Sequence, residues 1–328
     1  MTVLRQTLNE IYAPVESELQ EFSQVLKKEL ASQDELIGGI HEHLLKMSGK
    51  YLRPALALLA SRLNDAPSKP EAAKLAATIE LIHTATLVHD DIIDDSALRR
   101  NQPTIYSKWG REISIVSGDY LYAKAFLLLA DLKDVWMTQA LAACAHVMCE
   151  GEMKQIEKRS HFLMTENEYL KIIHQKTAAL FQASCAGGAY LSGMDRAGIE
   201  RLSNYGFGLG MAFQIVDDCL DLVSETENLG KTAGLDVYKN DVTLPLLYLF
   251  RDLEGSQRNA LLEAIQKERA DLLDQIKTLV AEKKSVEKAM EKARGYIDKA
   301  LAELEPVRPS IYKESLVNLA HYCLERIR

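Results

Sequence analysis

The chain has 328 residues, 47% apolar and 26% charged, the balance of a globular protein with a substantial core. A net charge of −8 leaves no basic face for nucleic acid, although a few local cations still suffice for a small phosphorylated substrate. The five cysteines, Cys144, Cys149, Cys185, Cys219 and Cys323, lack CxxC spacing and read as free thiols in a reducing compartment.

The N-terminal stretch MTVLRQTLNEIYAPVESELQ has early acids and no apolar h-region, so no secretory signal is expected and the protein is read as cytoplasmic. Near-continuous helical periodicity predicts helices over 2–30, 34–47, 54–64, 70–95, 112–131 and 135–158. It continues over 166–192, 196–224, 241–252, 257–278, 282–304 and 309–327. Breaks are expected at Ser48-Gly49, 64–70, Gln102-Pro103, Gly193 and 229–234, where Gly, Pro and polar residues cluster. Apolar runs such as 244–250 fall short of the roughly 20 residues a spanning helix requires, so no transmembrane segment is expected. With no linker and no repeat, residues 1–328 read as a single all-α domain.

Three stretches carry chemistry. SGKYLRP (48–54) sets Lys50 and Arg53 around Pro54 at a helix start, where side-chain charge adds to the helix dipole as an anion site. LVHDDIIDDSALRRNQPT (87–104) ends a helix with four aspartates and then reverses sign at Arg99 and Arg100. On a helix Asp90 and Asp94 share a face, with Cβ atoms roughly 5–6 Å apart, and two such carboxylates repel by about 3 kcal/mol at an effective dielectric near 20. Leu87, Val88, Ile92 and Ile93 suggest partial packing, so the charge calls for a cation. Oxygen ligands without thiolates suit Mg²⁺, Mn²⁺ or Ca²⁺, although the glycine of an EF-hand loop is missing. FQIVDDCLDLVS (213–224) repeats the D-D-x-x-D spelling with Asp217, Asp218 and Asp221. Two facing aspartate helices with metals between them make a diphosphate clamp, since Mg²⁺ takes few carboxylates and completes its shell with water and phosphate. Lys176-Thr177 and Lys231 are further basic positions near helices or loops.

Taken together, the chain resembles the trans-type polyprenyl diphosphate synthases over nearly its whole length. The matching segments run in family order: SGKYLRP, IELIHTATLVHDDIIDD, RRNQPT, SGDYLYAKAF, CEGEMKQ, KTAAL, FQIVDDCLDLVS, GKTAGLD and TLPLL. The resemblance implies antiparallel helices around a deep central cavity, the isoprenoid synthase fold, usually as a homodimer. It implies that Asp90 and Asp94, with Asp91, hold Mg²⁺ on an allylic diphosphate, and that Asp217 and Asp221 hold another from the opposite side. Roughly two or three Mg²⁺ per active site are expected, with Mn²⁺ as an alternative. Arg99, Lys176 and Lys231 would neutralise the allylic diphosphate. Lys50, Arg53, His83 and Arg100 would bind isopentenyl diphosphate, and Thr177 and Gln214 would turn oxygen dipoles toward the developing carbocation. Metals and cations set in place before reaction stabilise the departing pyrophosphate, and no nucleophilic side chain is needed.

The sequence departs from that pattern in places. Ser48-Gly49 replaces a glycine pair, Tyr51 stands where an arginine is frequent, and YKND (238–241) replaces a glycine-lysine arrangement, with Lys239 a possible substitute. In such enzymes bulky residues before the first aspartates block the growing chain. Here Ala85 and Thr86 are both small. Helical geometry sets Thr86 about 40° from Asp90 and turns Ala85 well away, so Ala85 rests on the resemblance alone. An all-trans product of roughly thirty to fifty carbons, such as a quinone side-chain precursor, is expected, with Phe126 a candidate for the tunnel floor. Release of a lipid product leaves transient membrane contact open.

Other readings compete. A terpene cyclase shares the fold but usually carries a different second motif and lacks separate cations for isopentenyl diphosphate. A His-Asp phosphohydrolase uses His83 and His89-Asp90 but leaves Asp217 to Asp221 idle. A subunit of a two-component synthase, inactive alone, and a shorter-chain geranylgeranyl diphosphate synthase are the remaining alternatives.

Overall fold

The computed structural model describes residues 7–47, 49–223, 234–266 and 272–326. The first predicted helix is divided by Pro14: α1 (Leu8–Tyr12) passes through a 3₁₀ turn (Ala13–Val15) into α2 (Glu16–Glu29). Asp34 caps α3 (Glu35–Lys46) by accepting from the Ile37 amide at 2.9 Å. Next come α4 (Leu52–Ser61) and α5 (Pro70–Ile93), whose proline occupies the first turn, where its missing N–H costs nothing.

The sequence showed no strand pattern, yet Leu98–Arg99 (β1) and Gln102–Pro103 (β2) pair antiparallel, with Leu98 opposite Pro103 and Arg99 opposite Gln102. Arg100 and Asn101, at φ 52° and 60°, supply the left-handed turn that such a tight ribbon demands. Helices α6 (Ile105–Trp109), α7 (Arg111–Ala130) and α8 (Val135–Lys158) follow.

A Thr165/Glu168 capping box starts α9 (Glu166–Ile173), which opens into a π turn (His174–Ala178) before α10 (Ala179–Leu191). The predicted 166–192 helix is therefore continuous but widened by one residue in its middle. The long α11 (Arg196–Val223) packs between α10 and a later helix, α16 (Ser285–Leu304). Between them come α12 (Leu235–Tyr238), α13 (Leu244–Asp252), α14 (Gly255–Gln266) and α15 (Leu272–Glu282), the last two covering the described parts of the predicted 257–278 helix. The chain closes with α17 (Ile311–Glu325).

The short turn 192–195 returns α11 alongside α10, and one contiguous apolar core runs through the bundle. α5 lies against α4 and α7, and α10 against α4 and α11, so the ends of α5 and α11 border a common cavity. By length and composition alone α7 is apolar enough to cross a bilayer, although Asp119 and Lys124 interrupt its apolar run, and the core helix of a globular protein passes the same test. Its inner face, with Leu121, Ala125 and Leu128, is buried, while Val116 and Leu127 are each 64% exposed.

Candidate active site

A cavity of ≈ 940 Å³ opens between α4, α5, α8, the π turn, α11 and α17. Glu80, His83, Thr86, Leu87, Asp90 and Ile93 reach it from α5 at spacings of three and four, one continuous helix stripe. Asp91 falls off the stripe. It is buried behind it and accepts from Arg99 Nε at 2.8 Å, beside a second, much smaller void of ≈ 50 Å³. Asp94 sits at the end of α5, where Arg159 Nη2 reaches Oδ1 at 2.8 Å and Lys239 Nζ reaches Oδ2 at 3.0 Å.

Lys50, Arg53, His83 and Arg100 all face the cavity. Tyr51 caps α4 in the left-handed region at φ 49°, packs its ring edge-on to Phe22 and lines the cavity, so a neutral side chain stands in the arginine's usual place. Lys50 donates to the Tyr322 hydroxyl at 3.0 Å, and Arg100 donates to the Met47 carbonyl at 2.6 Å. Arg53 lies 4.5 Å from the centre of the Phe181 ring and 3.2 Å from His83 Nε2. Burial lowers the Arg53 guanidinium to about 10, still charged at neutral pH. Burial and the Arg53 and Arg100 cations push the His83 imidazole well below its ordinary value, so it is neutral and accepts from Arg53. Burial also raises the Glu80 carboxyl to about 7, with Arg53 and Arg100 opposing.

The π turn brings both Lys176 and Thr177 to the cavity. Gly151 of α8 permits this, because a Cβ there would stand 2.5 Å from the Lys176 backbone nitrogen. Lys176 Nζ pairs with Glu152 at 2.5 Å. Against the effect of burial, Asp90 and Glu152 hold the Lys176 ammonium above its usual value. Thr177 donates to Gln214 Oε1 at 2.7 Å, Gln214 Nε2 donates to Asp218 at 2.8 Å, and the Tyr169 hydroxyl donates to the other Asp218 oxygen at 2.6 Å. Burial raises the Asp218 carboxyl to about 7, opposed by the Tyr169 and Gln214 hydrogen bonds. Asp217 faces the cavity and pairs with Arg326 at 2.7 Å. Asp221 is buried and accepts the Asp236 amide at 3.1 Å.

The expected residues thus divide. Asp90, Asp217, Lys50, Arg53, His83 and Arg100 surround one cavity, together with Lys176, Thr177, Gln214 and Thr86. Arg99 turns instead to Asp91, and Ala85 is fully buried in the apolar core, away from the cavity wall. Phe126 is 37% exposed on α7, stacked on Tyr122, and it is Tyr122 that lines the wall. Lys231 lies outside the described residues.

Glu80, Glu152, Arg159, Tyr169 and Arg326 were not anticipated. The stripe spacing from His83 could have revealed Glu80, whereas Arg159 and Arg326 meet partners 65 and 109 residues away in sequence.

Among the described residues no three His, Cys, Asp or Glu side chains form a ready-made metal cage. The donor chemistry nevertheless fits a hard divalent cation that brings substrate oxygens with it. Burial and repulsion from Asp94 hold the Asp90 carboxyl above the ordinary range despite Lys176, and burial with Asp90 nearby does the same to Glu152. Asp90 and Glu152 therefore lean on one ammonium, an excess of negative charge that another cation would relieve.

Helical architecture, cavity and paired aspartate helices define a prenyl-transfer fold. Residues 34–282 match the polyprenyl synthetase family, and the chain belongs to it. The chain is 34% identical over 319 residues to the all-trans-nonaprenyl-diphosphate synthase (geranyl-diphosphate specific) of Rhodobacter capsulatus, covering 97% of this chain and 98% of that one. It is 35% identical over 321 residues to heptaprenyl diphosphate synthase component 2 of Geobacillus stearothermophilus, covering 97% and 99%. A polyprenyl synthase from Caulobacter crescentus, crystallised with calcium and isoprenyl diphosphate, superposes with a TM-score of 0.93 at 34% identity over 99% of both chains. The fold is the all-α isoprenoid synthase fold, and the chain is an enzyme of prenyl transfer.

Proposed function

We propose that the protein condenses isopentenyl diphosphate with an allylic diphosphate, farnesyl or geranylgeranyl, to make an all-trans polyprenyl diphosphate of roughly thirty to fifty carbons. One observation carries this reading: Asp90 and Asp217, on separate helices, face a single cavity that also holds Lys50, Arg53 and Arg100. Long-chain synthases among the relatives support the product class.

In this reading Asp90 and Asp94 on one side and Asp217 and Asp221 on the other hold Mg²⁺, while Asp91, bonded to Arg99 behind the cavity wall, stays with the scaffold. Bound there, the metal supplies Lewis-acid stabilisation of the pyrophosphate leaving group. Lys176, kept protonated by Asp90 and Glu152, meets the same anion. Lys50, Arg53 and Arg100 hold isopentenyl diphosphate, with neutral His83 orienting Arg53. Thr177 fixes the Gln214 carbonyl near the developing carbocation, and small Thr86 leaves room for the growing chain.

The exposed apolar side chains of α7, Val116 and Leu127 among them, support a homodimer that buries this face. All five thiols are free, which supports a cytoplasmic setting. The likeness to a heptaprenyl component 2 favours one second reading, the catalytic subunit of a two-component synthase.

The test is to incubate the purified chain with farnesyl diphosphate, labelled isopentenyl diphosphate and Mg²⁺ and to resolve product size. A ladder reaching thirty carbons or more is expected. A stop at fifteen to twenty overturns the length assignment, and no incorporation brings the two-component reading forward.

A further inference from the structure

Arg159 is anchored unlike an ordinary surface arginine. Its Nε donates to Asp241 Oδ1 at 3.0 Å, and the other Asp241 oxygen accepts from Gln155 Nε2 at 3.1 Å. Asp241 is only 6% exposed, so this anchor is a buried carboxylate with both oxygens engaged. The Ser160 amide donates to the Asn240 carbonyl at 2.8 Å, tying the end of α8 to the same segment. With its Nε edge fixed, the guanidinium directs Nη2 to Asp94, and Lys239 takes the remaining Asp94 oxygen. Arg159 keeps a quarter of its side chain accessible, so a soluble anion reaches it.

We propose that Arg159, with Lys239 beside it, is a ligand of the allylic diphosphate, held in place by Asp241 and Gln155 as positioning residues. This rests on the reading of the cavity given above. A carboxylate and a phosphate oxygen offer a guanidinium the same chemistry, an anionic acceptor in fork geometry. In the substrate-free chain Asp94 occupies the place of that acceptor. If Asp94 turns to a divalent cation, Arg159 does not follow, because Asp241 holds it from behind. The same arrangement explains an acid so close to a phosphate-binding mouth: Asp241 is buried against Arg159 and turned from the substrate. The lysine of the glycine-lysine arrangement that YKND replaces is thereby supplied from two positions, Arg159 just past the end of α8 and Lys239.

The experiment titrates the full chain with inorganic pyrophosphate and Mg²⁺ by calorimetry. Arg159→Gln is expected to weaken pyrophosphate about tenfold or more, the worth of a charge-assisted hydrogen bond. Arg159→Lys recovers part of that loss, and Asp241→Asn gives a smaller loss because the cation stays while its anchor weakens. In steady-state kinetics KM for the allylic diphosphate rises and KM for isopentenyl diphosphate does not, a split that general distortion would not produce. Unchanged pyrophosphate affinity in Arg159→Gln, with a lowered unfolding temperature, overturns the proposal and leaves Arg159 a strut between α8 and its neighbouring segment. If the wild-type chain itself ignores pyrophosphate, the reading of the whole cavity fails, and not only that of Arg159.

Discussion

The aspartates near the ends of α5 and α11 share one spelling, yet their middle members have opposite surroundings. Asp91 meets the Arg99 guanidinium, whereas Asp218 meets a phenol and an amide. In both helices the first aspartate, Asp90 or Asp217, points into the cavity, and the next is carried about 100° round the helix into the protein. What packs behind then decides the electrostatics. Burial raises both middle carboxyls, but Asp91 gains a full positive charge in return, while Asp218 gains only dipoles and rises to about 7. A D-D-x-x-D spelling therefore specifies two functions per turn: an outward aspartate for the ligand and an inward one for the scaffold.

The largest effect should separate outward from inward positions. Asp90→Asn and Asp217→Asn are each expected to lower turnover about a hundredfold to a thousandfold, the typical loss when one preorganised electrostatic contact to the leaving group goes. Asp218→Asn should lose far less, because an asparagine still accepts from Gln214 and donates to Tyr169. Single-turnover rates with saturating substrate make the comparison. Equal losses at positions 217 and 218 would erase the division of roles.

A smaller effect concerns stability. Asp218 has a folded value near 7, above the roughly 3.9 of an unfolded aspartate, so its contribution is fully present below about pH 4 and is lost as pH rises through 7. Asp218→Asn removes that loss, so its stability relative to wild type should climb between those limits and then level off. Glu80, also near 7, is common to both proteins and cancels in the difference. Asp91→Asn has a cost of another kind. It strands Arg99 and should cost about 2 kcal/mol at neutral pH, below the penalty of a fully buried pair because Arg99 is 29% exposed. Denaturant titrations from pH 4 to pH 8 measure both, and a flat difference for Asp218→Asn would show that its carboxyl stays ionised throughout.

Much of this arrangement was legible because it is local. The i, i+4 pairing of Asp90 with Asp94 and the orientation of Thr86 follow from helix geometry, and helix starts follow from Asp34, Pro70 and Thr165. What was not legible depends on tertiary partners. The Leu98–Pro103 ribbon turns on Arg100 and Asn101, neither a glycine, so the break at Gln102-Pro103 was readable but its hairpin was not. The π turn carrying Lys176 and Thr177 is permitted by Gly151, which lies 25 residues earlier. Arg99 and Arg100 were each expected at a diphosphate, yet the ribbon sends one to Asp91 and the other to the cavity. Charge reversal after the aspartates was readable; which arginine faces the substrate was not.

The smallest expected effect is the most direct test of the middle-aspartate contrast. Tyr169→Phe removes one hydroxyl that donates to Asp218 at 2.6 Å and keeps the ring, so packing is preserved. A hydrogen bond of this kind contributes about 1 kcal/mol, and it favours the charged carboxylate over the neutral acid. The loss should therefore be greater at pH 8, where Asp218 is ionised, than at pH 5, where it is protonated. Turnover should change little, because Thr177 still donates to Gln214 and Gln214 still donates to Asp218. Urea denaturation at the two pH values is sufficient. A pH-dependent loss means that the phenol stands where Arg99 stands for Asp91, as a weaker substitute for a cation. Equal losses would mean that Asp218 does not titrate in this range, leaving the two middle aspartates different in partner but alike in charge.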